Sequence, residues 1–305
     1  MIILRQEEFA FGKPPSERTI PELLDAGVII LDKPRGPSSH EVSAFVRKIL
    51  EVKKTGHTGT LDQDVSGVLI VLLGHATKAV RFFAGERKSY VCVMSLGTAI
   101  SKEKADKIFE NLRGKIYQTP PLASAVAKRL RVREVYSLRV LESHDKLILF
   151  DCDVAGGTYV RKLVSDFGAL AATTAEMREL RRTSAVGLSE GSAVKLQDIS
   201  DYYWLWKNRG DESFLRSSVK PIEDVIALKR VIVSDDVLKP ITTGAHLFIP
   251  GICSLDEGIN RDEFVQIMSG KGELICFAQA LLSSDEIKER RNGAACDVMR
   301  VVKSA

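Results

Sequence analysis

The run Val68-Leu-Ile-Val-Leu-Leu73 restricts the fold more than any other stretch of the chain. Six consecutive apolar residues, half of them β-branched, are too few for a buried helix and have the length and composition of a strand covered on both faces. The segment feeding into it, Lys54-Thr-Gly-His-Thr-Gly-Thr-Leu-Asp-Gln-Asp-Val-Ser-Gly67, is polar and glycine-rich. Such a backbone is bent for close approach, with His57, Asp62 and Asp64 displayed on the bend. An ordinary connection would also be rich in Gly, Asp and Ser, so composition leaves both readings open.

A chain of 305 residues buries a large core in one domain or two. Its 45% hydrophobic and 28% charged residues are those of an ordinary globular protein, and a net charge of +4 is compatible with nucleic-acid binding without requiring it. The five cysteines lie far apart without a CxxC pair, which argues against a zinc site or a disulfide framework and for a reducing compartment. The N-terminus has no apolar signal region and no run reaches about 18 apolar residues, so a soluble, cytoplasmic protein is expected.

In chain order, residues 1–26 read as an extended arm and Gly27–Asp32 as a short buried strand. Ser38 and Glu41 form a capping box opening a helix with Val42, Phe45, Val46, Ile49 and Leu50 on its inner face. Arg47, Lys48, Lys53 and Lys54 give a basic edge at its far end, which also suits a solvated helix terminus. A short helix is predicted over Ala76–Ala84, a strand from Arg87 to Leu96 with Tyr90 near its start, and a helix over Ser101–Leu112. Tyr117–Pro121 reads as irregular. Lys128-Arg-Leu-Arg-Val-Arg133 alternates cations with apolar residues, giving one buried and one basic face: a charged sheet edge or a phosphate-contacting strip.

Leu147–Val154 alternates cleanly as a strand, Gly156-Gly157 breaks it, and Thr158 can cap a helix with Val160, Leu163, Val164, Phe167, Leu170 and Ala171 inside. Arg161 falls in that helix's first turn, unfavourable for the dipole, which points to a specific carboxylate partner or a surface salt bridge. Asp201–Arg216 is an irregular or helical connection. From about residue 226, short strands at Arg230–Val233, Gly244–Ile252, Glu263–Met268 and Glu273–Ala280 make a small β-rich, partly closed barrel.

The chain lacks a GxGxxG, a P-loop, a Ser/His/Asp signature and a metal-ligand cluster. Asp62 and Asp64 are too close in sequence to face each other across a substrate, as a glycosidase would need. An aspartate nucleophile steadied by an arginine is chemically sensible. The residues alone reach no further than an RNA-acting enzyme with such a nucleophile.

Five motifs extend this. Gly56-His-Thr-Gly-Thr-Leu-Asp62 with Ser66-Gly67, Leu31-Asp-Lys-Pro34 with Gly36 and Ser38-Ser-His-Glu41, Lys88-Ser-Tyr90, Gly157-Thr-Tyr-Val-Arg161 and Glu179-Leu-Arg-Arg-Thr183 resemble, in order, the signatures of the TruB-type pseudouridine synthases. Gly244-Ala-His-Leu-Phe-Ile-Pro-Gly251 and Gly272–Leu274 resemble a PUA RNA-binding domain. The likeness covers nearly the whole chain. Three features resemble the archaeal, dyskerin-like synthase of box H/ACA guide particles rather than the bacterial stand-alone enzyme. They are Arg18–Leu24, Tyr117–Val126 running into Lys128–Arg133, and the short connection from Gly97 to Gly114.

The resemblance implies an α+β fold: a mixed, mainly antiparallel sheet with flanking helices over 27–226, a PUA domain over 227–305, and an arm over 1–26 packing on the latter. It implies an isomerase turning uridine into pseudouridine in rRNA, and at uridine 55 of the tRNA T loop. Asp62 becomes the nucleophile, Arg161 its ion-pair partner, Tyr90 the residue stacking on the base and moving a proton, and Leu180 a pocket residue. RNA contacts fall to His57, Lys33, Lys53, Lys54, Lys128, Arg129, Arg131 and Arg133. Partners are a guide RNA, the substrate RNA and small companion proteins of the particle, with no membrane; no cofactor or metal is needed for a redox-neutral isomerisation. A stand-alone tRNA synthase and a non-catalytic RNA scaffold are the competing readings. Two departures stand out: Gln63 occupies the position after the nucleophile where the family usually has proline, and Thr173-Thr-Ala175 replaces a Gly-Ala-His-like turn.

Overall fold

The computed structural model describes residues 1–83, 87–120 and 127–303. Its first half contains β1 (Ile2–Ile3), α1 (Ile20–Ala26), β2 (Gly27–Lys33), α2 (Ser39–Ile49), β3 (Thr55–Thr58), β4 (Ser66–Leu73), β5 (Lys88–Leu96), α3 (Lys102–Asn111), β6 (Gly114–Gln118), β7 (Arg131–His144) and β8 (Leu147–Val154). Then come α4 (Val160–Ala171), β9 (Ala175–Ala185), β10 (Leu188–Ser189), α5 (Leu196–Arg209), α6 (Ser213–Ser218) and β11 (Val219–Pro221). The C-terminal part holds β12 (Lys229–Val233), α7 (Leu238–Thr242), β13 (Leu247–Phe248), β14 (Ile252–Leu255), β15 (Phe264–Met268), β16 (Leu274–Ala280), α8 (Ser284–Glu289) and β17 (Ala294–Val301).

Val68–Leu73 forms the inner part of β4, and all six side chains are fully buried. Among the described residues, β4 belongs to a ten-stranded mixed sheet ordered β11-β2-β4-β9-β5-β8-β7-β6, with β3 on β4 and β10 on β9. Every pairing is antiparallel except that of β4 with β9. That parallel contact is two residue pairs long, Ser66 with Arg181 and Gly67 with Arg182. Gly67 has φ 102°, and a β-carbon there would lie 2.2 Å from the Arg182 carbonyl oxygen, so only glycine lets the strands meet. Beyond these pairs the halves of the sheet part, and a cleft opens between them.

The fold is α+β. The second sheet, ordered β1-β14-β12-β15-β16-β17-β13, is C-terminal except for β1, which the N-terminal arm contributes to its edge. Phe82 packs against this sheet, stacked on Phe277 at 4.0 Å and edge-on to Phe264 at 5.4 Å.

Several local expectations change. The arm ends in a helix, α1, closed by a Thr19–Glu22 capping box, rather than staying extended. The segment Gly74–Phe83 is 3-10 rather than α-helical, and Ala84 lies outside the described residues. Tyr117 and Gln118 sit in β6; Pro121–Val126 lie outside the described residues. Phe45 and Leu170 face solvent although their helical periodicity put them inside. Thr158 does not cap α4: Tyr159 holds the cap position without a side-chain bond, and Thr158 Oγ1 is buried without a partner.

The basic strip is inverted. Leu130 and Val132 are 66% and 51% exposed, while Arg131 and Arg133 are partly covered. A bulge between Val135 and Ser137 switches the inward face of β7, so its first residues run out of phase with buried Leu138 and Val140. β17, which the spacing of the C-terminal strands did not reveal, completes the second sheet.

Candidate active site

The cleft where the sheet halves part has a volume of about 690 Å³. The loop after β3, the starts of β5 and α4, and the body of β9 wall it.

Asp62 sits on that loop, held by backbone contacts on both sides. Leu61 donates its N–H to the buried Ser39 hydroxyl at 2.8 Å, and that hydroxyl donates to the Leu61 carbonyl at 2.9 Å. The Lys33 ammonium donates to the carbonyls of Pro34 and Val65 at 2.8 Å each, with Gln63's at 3.4 Å. Gly36 N–H reaches the Gln63 carbonyl at 2.9 Å. Residues 61, 63 and 65 are thus bound inward.

Asp62 Oδ2 accepts from Arg161 Nη2 at 2.8 Å. Arg161 is the second residue of α4, where the helix dipole repels a cation and an aspartate restores the balance. Buried Gln118 fixes the helix start, accepting from Tyr159 N–H at 2.9 Å and donating to the Tyr159 carbonyl at 3.3 Å.

Tyr90 and Leu180 line the same cleft. Burial pushes the Tyr90 hydroxyl above its ordinary pKa, and the neighbouring Arg182 guanidinium opposes the rise. His57 is half-buried with Nε2 3.4 Å from Thr60 Oγ1, and burial, then His40 and Arg182, lower its pKa and favour the neutral ring. Among the described residues lining the cleft, Asp62 is the single acid, against Arg81, Lys88, Arg133, Arg161 and Arg182. No group of three or more His, Cys, Asp or Glu able to hold a metal occurs among the described residues.

The other RNA-contact candidates divide. Lys33, expected among the RNA contacts, is instead fully buried and bonded to carbonyls, so that it clamps the loop. Lys53 and Lys54 line, with His40, Arg47 and His57, a second groove of about 320 Å³ beside the cleft whose lining includes no acid. Lys128 and Arg129 are exposed away from the cleft wall; Arg131 donates to the Ala127 carbonyl at 3.5 Å. Arg133 reaches the wall through the Gly157 carbonyl at 3.2 Å.

Arg182, Ser39 and Gln118 were not singled out from the sequence. Arg182 carried a signal: two residues after Leu180 in a strand, it shares Leu180's face, while Arg181 turns away to Asp32 at 2.9 and 3.1 Å.

Comparison with known proteins covers the chain end to end. Residues 47–160 match the family described as TruB family pseudouridylate synthase (N terminal domain), and 161–227 the tRNA pseudouridylate synthase B C-terminal domain. Residues 229–302 match the PUA domain and 3–43 the DKCLD (NUC011) domain. The protein named probable tRNA pseudouridine synthase B of Methanocaldococcus jannaschii is 43% identical over 98% of this chain and 90% of its own length. Its namesake in Archaeoglobus fulgidus is 40% identical over 96% and 90%. Among solved structures, a chain of a Cbf5-Nop10-Gar1 complex is 40% identical, with a TM-score of 0.91 over 99% of this chain and 92% of that one. A chain of an H/ACA RNP bound to a substrate RNA containing 2'-deoxyuridine is 37% identical, with a TM-score of 0.91 over 99% and 94%.

Proposed function

The chain belongs to the TruB family of pseudouridine synthases, and from that premise we propose that it isomerises uridines as the catalytic subunit of a box H/ACA guide ribonucleoprotein, acting on rRNA and on tRNA uridine 55. One observation carries this reading: the end-to-end likeness, at TM-scores of 0.91, to chains solved within a Cbf5-Nop10-Gar1 complex and a substrate-bound H/ACA RNP. The partners are then a guide RNA, the substrate RNA and small companion proteins, in the cytoplasm. The working units are an arm over 1–26, a catalytic domain over 27–226 and a PUA domain over 227–305.

In the cleft, Asp62 attacks the extruded nucleotide, at the ribose C1′ or the uracil C6. The N1–C1′ bond breaks, the base turns, C5 joins C1′, and the bond between Asp62 and the nucleotide breaks to return the free carboxylate. Arg161 keeps the Asp62 carboxylate aimed by its 2.8 Å contact. Tyr90 stacks on the base and takes the C5 proton, Leu180 packs against the base, and His57 fills space beside the displaced nucleotide. Extruding the base costs a few kcal/mol, offset by phosphate contacts. Lys53 and Lys54 in the acid-free groove, and Arg133 at the wall, supply such contacts, with Lys128, Arg129 and Arg131 further along the strand.

The name of the curated relatives supports a second reading, a synthase acting on tRNA without a guide. A non-catalytic scaffold leaves the Asp62–Arg161 pair without a purpose. Tritium release from C5-labelled uridine separates the three. We expect turnover on guide-paired RNA, stimulated by guide and companion proteins, and none with Asp62→Asn. Activity surviving in that variant sinks the mechanism. Undiminished turnover on tRNA alone, with no guide stimulation, makes the enzyme stand-alone.

A further inference from the structure

Arg182 is 1% exposed, among the largest fully buried side chains of the protein. Its Nε donates to the Val68 carbonyl at 2.6 Å, while Nη2 is buried without a hydrogen-bond partner. No carboxylate lies within ion-pair distance of it among the described residues, whereas Arg18, also buried, has Glu223 at 2.7 Å. Asp62, the acid of the same cleft, is taken by Arg161. An unpaired buried cation is costly, by several kcal/mol in general, and folding alone gives no reason to keep one.

Its neighbours supply a reason. Arg182 stands directly opposite Tyr90 across the β5–β9 ladder, where side chains on one face come within about 5 Å. The nucleophile loop lies over it: a β-carbon on Gly59 would be 3.2 Å from Nη1. The guanidinium therefore touches strand β4, the loop bearing Asp62 and the tyrosine against which the base is proposed to stack.

We propose that Arg182 is a positioning residue for the proton-transfer step: its buried guanidinium, behind Tyr90 and beneath Gly59, holds the Tyr90 oxygen in place and stabilises its anionic form while that oxygen takes the C5 proton. This rests on the reading of Tyr90 given above. In that step the Tyr90 hydroxyl first gives its proton to solvent. The C5–H bond then breaks, and its electron pair forms the C5–C6 double bond and displaces the C6–N1 π pair onto N1. The C5 proton passes to the phenolate oxygen, and N1 takes a proton from solvent. A positive charge in a water-poor wall costs no reorganisation when the negative charge arrives. The groups facing Tyr90 are Arg182 from β9, Asp62 from the loop, Cys152 from β8, Lys88 from its own strand and Arg161 from α4. Of the cations, Arg161 is already neutralised by Asp62.

The test compares wild type, Arg182→Met, Arg182→Lys and Tyr90→Phe in single turnovers on RNA carrying uridine, 5-deuterouridine or 5-fluorouridine. The last has no C5 proton, so it reports the nucleophilic steps alone. Arg182→Met is expected to be about a hundredfold slower at neutral pH, the range of a lost acid–base contribution. It should recover as pH rises, gain a primary deuterium effect, and still consume 5-fluorouridine like wild type. Arg182→Lys should restore the wild-type pH profile. Equal losses on uridine and 5-fluorouridine with no isotope effect, or an unchanged pH profile in Arg182→Met, overturn the proposal. Full activity of Tyr90→Phe instead overturns the role given to Tyr90. If the methionine variant does not fold, Arg182→Gln, neutral but still able to donate to the Val68 carbonyl, is read in the same way.

Discussion

The Lys33 ammonium joins Pro34 and Val65, donating to each carbonyl at 2.8 Å, and so ties the end of β2 to the far side of the loop that bears Asp62. A lysine in the family's Leu-Asp-Lys-Pro signature is easily taken for a phosphate ligand. Here burial pushes its pKa down, with Asp64 and Asp62 acting in the opposite sense, and backbone carbonyls accept its protons. Those contacts fix the loop that carries Asp62, the proposed nucleophile.

Lys33→Met is therefore expected to lower the single-turnover rate by about a hundredfold, the cost of misplacing a reacting group by around 1 Å. RNA affinity should stay near wild type. Rapid-quench kinetics beside filter binding check this; a parallel loss of affinity with normal chemistry would return Lys33 to the RNA-contacting residues.

Arg161→Ala should lower turnover far more than RNA affinity, because its partner is Asp62, the proposed nucleophile, and not a phosphate. An equal fall in both makes Arg161 a backbone contact. Because both side chains of this pair are substantially exposed, it should contribute little to stability, and melting curves of the variant should overlay those of wild type.

The acid-free groove predicts a salt effect. Replacing both Lys53 and Lys54 by alanine should reduce the slope of log affinity against log salt by about 0.7 to 0.9 for each phosphate that the groove no longer neutralises. Chemistry at saturating RNA should be unchanged. An unaltered slope would show that the RNA backbone takes another path.

Arg18 links the arm to α6, to the turn after β11 and to the approach to β16: it clasps Glu223 at 2.9 and 2.7 Å, lies 3.7 Å from Glu273, and its carbonyl accepts from Arg216 at 2.8 Å. Glu223 also accepts from Leu274 N–H at 2.9 Å. Arg18→Met leaves Glu223 buried without its cation, and Glu273 with Lys303 alone. About 3 to 5 kcal/mol of destabilisation is expected from removing the cation, read as a lower denaturant midpoint. An unchanged midpoint would show that water enters the cluster and compensates.

Acid should loosen the C-terminal part through Glu286. Held first by Arg261 and then by the Ser283 N–H of its capping box, it has a pKa lowered to about 2 from the ordinary 4.5. The lowered value means the folded state binds the proton less readily than the unfolded one. The contribution is thus present above 4.5 and lost as pH falls from 4.5 toward 2. Glu286→Gln should flatten that part of the stability–pH curve; a curve identical to wild type would assign acid lability elsewhere.

Local sequence determined much of this protein. The apolar run makes the fully buried β4, the Ser38–Glu41 capping box opens α2, and alternation places Ile148, Phe150, Cys152 and Val154 inside β8. These follow from side-chain chemistry over a few neighbours, the range within which period and capping operate. Contacts between distant segments depend on sheet register, which no local pattern encodes. Tertiary structure alone brings Arg161 to Asp62 across 99 residues, sets Arg182 behind Tyr90, and buries Lys33 among carbonyls. One bulge turned the basic strip of β7 inside out, because a single extra residue exchanges the faces of everything before it. Gln63 shows both sides. The sequence marked it as a departure from proline, and the fold holds that position through its carbonyl, a group every residue carries.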